Sequence, residues 1–329
     1  MRLRRSIGLM TLTLCVALTS LAGSVRAQDS YPSKPIHFIV TTAAGGAGDL
    51  VARAVADRLS ESMRQPVIIE NQPAGNGGIA AGQVAKAAPD GHTLMTVVDS
   101  TLTINPHLYR NLPYDPFRDF APISMITRLP LVLVTNNSAQ ADNVRELIAL
   151  AKANPGKLNY ASTGVGTVLQ IGMELFKLMT KTDIVHVPYR ATTTAMADLM
   201  GGRIDLILIG QSSVKPLMEA GKLKVLAIAS PQRSPLMPEV PTLEEAGVPG
   251  YEVRSWFGML APAKTPPSIV DRLAREVKKA AADPRFVAAL APQGMQIIAG
   301  SPEDMQAAMQ ADSRKWGEVI AATGTTINQ

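Results

Sequence analysis

Two glycine-rich turns carry the groups in this chain that could hold a small anion. Residues 41 to 49 read Thr-Thr-Ala-Ala-Gly-Gly-Ala-Gly-Asp, and residues 162 to 167 read Ser-Thr-Gly-Val-Gly-Thr. Each stands where a helix is expected to begin, so unpaired backbone N–H groups and the positive end of the helix dipole favour a negative charge there. Glycine lets a ligand approach the main chain closely, and the hydroxyls add donors without adding charge. The candidate contacts are Ala44, Gly45, Gly46 and Asp49 in the first turn and Ser162, Thr163, Gly164, Gly166 and Thr167 in the second. Ser100, Thr101, Arg190 and Gln211 complete the set. Arg190 follows Val187-Pro188-Tyr189 at the end of a predicted strand, where a guanidinium could pair with a carboxylate. Asp49 could equally cap its own helix, and Thr167 with Gln170 has the spacing of a capping box. The occurrence of two such turns in one chain is what carries the anion-site expectation.

Other chemistries find less support. Glu70 lies about twenty residues beyond the first glycine turn, as an acid does in a dinucleotide-binding unit, but Val51 stands at the third glycine position. No Gly-Lys-Ser/Thr follows either. Gly210-Gln211-Ser212-Ser213-Val214 lacks the closing glycine of a nucleophile elbow. His37, His92, His107 and His186 are far apart and have no zinc-ligand spacing, so they read as structural. Few aromatic residues are present to stack on a sugar. No catalytic residue, cofactor or metal is expected, and the chain reads as a binding protein and not an enzyme.

The elements that position the turns alternate between strand and helix. Residues 36–40 and 67–69 form short apolar runs flanking a helical stripe through Leu50, Val51, Ala54, Val55 and Leu59. The order returns with a strand at 157–161, a stripe through Val168, Ile171, Leu175 and Leu178, a strand at 184–187, a helix at about 193–200 and a strand at 204–209. The predicted fold is therefore α/β with two lobes, each a mostly parallel sheet flanked by helices, and ligands of such sheets lie beyond the carboxyl ends of the strands. From Pro266 onward the chain reads as helices, with capping-box spacing at Ser268 to Asp271 and Ser301 to Asp304. This tail is expected to return to the first lobe. The division is then 28–124 plus 257–329 for lobe 1 and 125–256 for lobe 2, with crossings near 119–127 and 255–261.

Residues 1–27 have the form of a secretory signal peptide: Arg2, Arg4 and Arg5, an apolar run from Ile7 to Leu21, and a small-residue end at Ala27. Cleavage there directs the chain to the periplasm. It also removes four arginines, so 32 basic residues fall to 28 against 27 acidic. The formal charge of +5 is thus mostly the signal's, and the mature chain has no basic footprint for nucleic acid. Cys15, the one cysteine, lies inside the same segment, so the mature chain is expected to have no disulfide.

At these residues the chain resembles the substrate-binding receptors of tripartite tricarboxylate transporters, the Bug family of extracytoplasmic receptors. The matching stretches include Gly45 to Asp49, Glu70-Asn71-Gln72-Pro73, Ala88-Pro89-Asp90-Gly91 and Leu112 to Pro116. Asn159-Tyr160-Ala161-Ser162, Val187-Pro188-Tyr189 and Trp256-Phe257-Gly258 extend the match across the mature chain. The resemblance implies a two-lobed Venus-flytrap whose two turns grip a ligand carboxylate, often through water, and whose closed form meets membrane permease subunits. An orphan receptor would feed a sensor instead. The ligands implied are dicarboxylates, tricarboxylates, acidic amino acids or aromatic acids, and a monomer suits a closing clamp. Three departures bear on specificity: Ala191 replaces a usual glycine, Ile209-Gly210-Gln211 stands where many members place Asp-Asn, and Thr41 to Ala44 replace aromatic and proline residues. Without that acid an ammonium group has no evident partner except Asp49, which disfavours amino acids.

Overall fold

The computed structural model describes residues 31–327, so the segment read as an export signal, with Cys15, lies outside the described residues. The first lobe is built from β1 (Ile36–Val40), α1 (Ala47–Met63), β2 (Val67–Asn71), α2 (Gly78–Val84) and β3 (Thr93–Val98), followed by the short helices α3 (Asp99–Thr103) and α4 (Asn105–Leu108). The second contains α5 (Val144–Ala153), β5 (Asn159–Ser162), α6 (Val168–Thr180), β6 (Val185–Pro188), α7 (Thr192–Met200), β7 (Leu206–Gly210), α8 (Lys215–Glu219) and β8 (Leu223–Ile228). Between and after them run β4 (Phe120–Asn136), β9 (Arg254–Pro262), α9 (Pro267–Ala281), α10 (Pro284–Leu290), β10 (Gln296–Ile297) and α11 (Pro302–Thr323).

In each lobe the helix-connected strands pair in parallel, β1 with β2 and β3, and β5 with β6 and β7. Helices cover both faces of such a sheet, so four of the five β1 residues are buried, and Val, Ile and Phe fill the strand without alternation. To these parallel sets β4 and β9 add antiparallel strands, which makes each sheet mixed. β4 is seventeen residues long: its first part runs antiparallel to β9, and from Leu131 onward it runs antiparallel to β7 and β8. One strand thus belongs to both sheets. Just before β9 the Val253 N–H donates to the Ala229 carbonyl at 2.8 Å, holding the start of the returning strand to the second lobe.

The apolar core divides accordingly. Phe38, Val55, Leu59, Leu273 and Phe286 close one face of the first sheet, and Tyr160, Phe176, Leu208 and Tyr251 close one face of the second. α11 departs from the expectation that the tail stays on the first lobe. Its early residues Met305 and Met309 pack with Trp256 in the first lobe, whereas Trp316, Val319 and Ile320 join the second-lobe core. At 22 residues the helix is long enough, about 33 Å, to lie across both. Its start is the expected capping box of Ser301 and Asp304. The other expected box is absent: α9 begins two residues earlier than a Ser268 cap would place it, with Pro267 at its first position and no side-chain cap, because proline needs no N–H partner there.

Among the described residues, no helix is long and apolar enough to cross a membrane. No group of three or more His, Cys, Asp or Glu among them is placed to hold a metal ion.

Candidate functional site

A cavity of about 480 Å³ opens between the lobes at the carboxyl ends of the strands. From the first lobe, Thr42, Gly45, Gly46 and Gly48 line it, with Asn76 and Ser100; from the second, Thr163, Thr167, Thr192, Ser212 and Ser213. β4 and β9 supply Leu129, Leu131, Ser255 and Phe257, and the tail supplies Gln293. Both glycine turns therefore face one space.

The start of α1 is built for close approach. Its N-cap, Gly46, is extended and no side chain accepts from the first-turn amides, so these keep their capacity to bind an anion. A Cβ on Gly48 would stand 2.4 Å from Thr42 Oγ1 and 3.0 Å from Phe257, so only glycine fits there. Thr42 Oγ1 is itself buried with no partner. Asp49 is turned away from the cavity: Oδ2 accepts from the Gly45 N–H and Arg53 Nε, both at 2.9 Å, and Oδ1 accepts from Asn71 at 3.0 Å. Burial raises its pKa, but the hydrogen bonds from Arg53, Gly45 and Asn71 outweigh this and hold it below the usual carboxylate range. Asp49 thus folds the turn back on itself and stands behind the amides.

The turn before α6 is held by a different set. Thr167 Oγ1 accepts from the Gln170 N–H, the first half of the capping box its sequence spacing predicted, but Gln170 Oε1 accepts from the Gly166 N–H at 2.8 Å, one residue before the N-cap, instead of from Thr167. Ser162 is fully buried. Its hydroxyl lies 3.0 Å from the Gly164 carbonyl, 3.1 Å from the Gly164 N–H and 2.7 Å from His186 Nε2. One hydroxyl has one proton, so all three contacts are met only if His186 donates from Nε2. Burial lowers the His186 pKa, with Glu174 and Lys177 pulling in opposite directions, which favours the neutral ring, and the Ser162 contacts assign its proton to Nε2. His186 also stacks on Tyr160, centroids 4.9 Å apart.

Of the sequence-predicted contacts, Gly45, Gly46, Ser100, Thr163 and Thr167 line the cavity. Ala44 is exposed on the first turn, and Gly164 and Gly166 shape the second without lining it. Thr101 is buried, bonding the Asn76 carbonyl. Ser162 is sequestered as described. Arg190 is exposed and outside the cavity, because the chain turns outward after β6. Gln211 is buried, and its Nε2 donates to the Gly294 carbonyl at 2.9 Å, bridging a second-lobe turn to the tail. Beside it Ser212 Oγ donates to Gln293 Oε1 at 3.0 Å. Sequence reasoning missed Asn76, Thr192, Ser212, Ser213, Ser255 and Gln293, whereas Thr42 and Phe257 stood in stretches it quoted without naming them as contacts. Ser212 and Ser213 stood in a motif read as a failed nucleophile elbow, and Gln293, in the helical tail, gave no local signal.

Paired α/β lobes sharing a strand and closing on one polar-rimmed cleft define a two-lobed periplasmic binding protein. Within that class the chain belongs to the tripartite tricarboxylate transporter family receptors, whose family model matches residues 51–325. It is 34% identical over 320 residues to Protein BugT of Bordetella pertussis, covering 97% of this chain and 98% of that one. Among solved structures it is similar to Rpa4515 of R. palustris with adipate, at 35% identity, 90% and 100% coverage and a TM-score of 0.82. MatC (Rpa3494) of Rhodopseudomonas palustris, with bound malate, is similar at 31% identity, 88% and 100% coverage and a TM-score of 0.78.

Proposed function

We propose that this protein is a periplasmic receptor that captures a small carboxylate by closing its lobes, and delivers it to the permease subunits of a tripartite tricarboxylate-type transporter. The observation that carries the reading is the convergence of the α1 and α6 starts on one cavity. Amides and hydroxyls from opposite lobes can bond the same anion there, so ligand stabilises the closed form by differential contact. The adipate- and malate-bound relatives support a carboxylate. The moving units are residues 28–124 with 257–329, and residues 125–256, with α11 laid across both. The receptor acts as a monomer, without cofactor or metal, and binds no nucleic acid.

The test is a thermal-shift panel on the purified mature protein with organic acids, nucleotides and sugars. A rise of several degrees with an acid, and none with the others, is expected, because a ligand that binds only the folded state adds RT ln(1 + [L]/Kd) to stability. A rise with a nucleotide and with no acid would remove the proposal.

A further inference from the structure

Behind the ligand cleft lies a second cavity, of about 200 Å³, and we infer that it binds a small inorganic oxyanion of the sulfate or phosphate class. Strand alternation puts the two spaces back to back. Leu129 and Ser255, which pair across β4 and β9, face the cleft, whereas the next pair along, Arg128 and Trp256, lines the second cavity together with Arg254. From α11, Asp312, Lys315 and Trp316 close it. The site thus stands where β4 leaves the first sheet for the second, under the helix that packs on both lobes.

The charges in this cavity do not balance, because Arg128, Arg254 and Lys315 meet only Glu252 and Asp312. Glu252 Oε1 is taken by Arg254, whose Nε and Nη2 both donate to it. Asp312 Oδ2 accepts from Trp256 Nε1 at 2.7 Å, and burial raises its pKa, the direction that disfavours its charge. Arg128 is half-buried, and its guanidinium has no hydrogen-bond or ion-pair partner among the described residues. Lys315 gives one N–H to the Glu252 carbonyl and has two more to offer. Burial lowers the pKa of both Arg128 and Lys315, and the like charge of Arg254 adds to the effect. Trp316 is 2% exposed, and its Nε1 is buried with no partner. A guanidinium fork, an ammonium and an indole N–H are donors only, so an acceptor that meets them together has several oxygens and a negative charge. The space is smaller than the ~300–1,000 Å³ usual for organic ligands, which suits an inorganic ion.

Trp256 and Trp316 are the two tryptophans of the chain, so indole emission reports on this cavity. Sulfate and phosphate are each titrated into the mature protein at constant ionic strength, held with sodium fluoride, by calorimetry and by tryptophan fluorescence. Saturable binding of at least one of them, with a change in emission, is expected. Arg128→Gln removes the fork and its charge and is expected to weaken that binding by about tenfold or more. Lys315→Gln is expected to act in the same direction, and it decides the matter should Arg128→Gln fail to fold. Equal affinity in whichever variant folds would place the anion elsewhere, the cleft included, and overturn the inference. Binding that leaves the emission unchanged, or no saturable binding of either anion to the wild type, overturns it as well.

Discussion

Asn76 of the first lobe donates from Nδ2 to the carbonyl of Gly166 on the second lobe at 3.0 Å, and to Asn105 Oδ1 at 2.9 Å. The bond spans the mouth of the cavity beside the turn that opens α6. Its backbone is fixed in the left-handed region, at φ 50, by Thr101 and Asn105, which donate to the Asn76 carbonyl. The lobes are therefore latched by one amide that also lines the ligand space.

Asn76→Gly removes the latch while keeping the backbone conformation accessible. A neutral hydrogen bond contributes about 1 kcal/mol net, so ligand affinity is expected to fall about fivefold, through faster dissociation. Stopped-flow dissociation would measure this. An unchanged off-rate would mean that the contact does not hold the closed state.

The opposite side of the cleft is joined by Gln211 and Gly294. Gly294 has φ +62, and a Cβ there would lie 2.3 Å from Gln211 Nε2 and 2.5 Å from Leu236 Cδ1. Gly294→Ala is expected to hold the lobes apart and weaken ligand binding about tenfold, with a larger radius of gyration in ligand-saturated X-ray scattering. Gly250→Ala serves as the control: it has φ +77 with nothing near its Cβ, so it brings strain without a clash. Equal effects from the two variants would assign the loss to backbone strain and not to closure.

The sequence foretold the parts of this site that are local and missed those that are tertiary. Strand, glycine turn and helix at 36–63 and again at 159–180 are visible because apolar periodicity and glycine report backbone geometry directly. Family motifs also pointed to Phe257. Nothing in the sequence around Gln293 could reveal that β10 pairs with β4 and brings the preceding turn over the cavity. The Asp49 carboxylate was read as a cap or a contact because its partners, Asn71 and Arg53, are chosen by packing. Arg190 failed for a related reason. A strand end fixes position, but which way the next residue turns depends on the neighbouring helix.

The Ser162–His186 contact makes the second turn sensitive to acid. The folded-state pKa of His186 is depressed, chiefly by burial, so below the unfolded value of about 6.5 the unfolded chain binds a proton that the folded one resists. Stability from this group is present above that value and is lost as pH falls through it toward the folded pKa. His186→Gln retains a donor for Ser162 and cannot titrate, so its urea midpoint should fall less between pH 7.5 and pH 5.5 than that of the wild type. His186→Phe keeps a ring over Tyr160 but leaves Ser162 without its donor, and ligand affinity should drop severalfold at either pH. Parallel urea curves for wild type and His186→Gln would remove the histidine from the account.

Asp99 gives the opposite slope. It is fully buried, and burial, reinforced by the neighbouring Asp312, holds its pKa well above the carboxylate range despite hydrogen bonds from Ser100, Trp256 and Ser255. One oxygen, Oδ2, has no donor to stabilise a negative charge. The folded chain therefore keeps a proton that the unfolded chain releases above about 3.9. The stabilisation is complete below that value and is lost as pH rises through the folded pKa. Asp99→Asn preserves the Oδ1 acceptor used by Ser100 and Ser255 and removes the ionisation. Between roughly pH 5 and pH 8 the wild type should lose stability relative to Asp99→Asn, which is expected to be at least as stable at the upper end. Because His186 acts in the opposite sense, the comparison is made in a His186→Gln background, by urea denaturation at closely spaced pH values. A gap between the two proteins that does not change with pH would show that Asp99 is ionised in the folded chain across this range, as it is in the unfolded one, and would overturn this account.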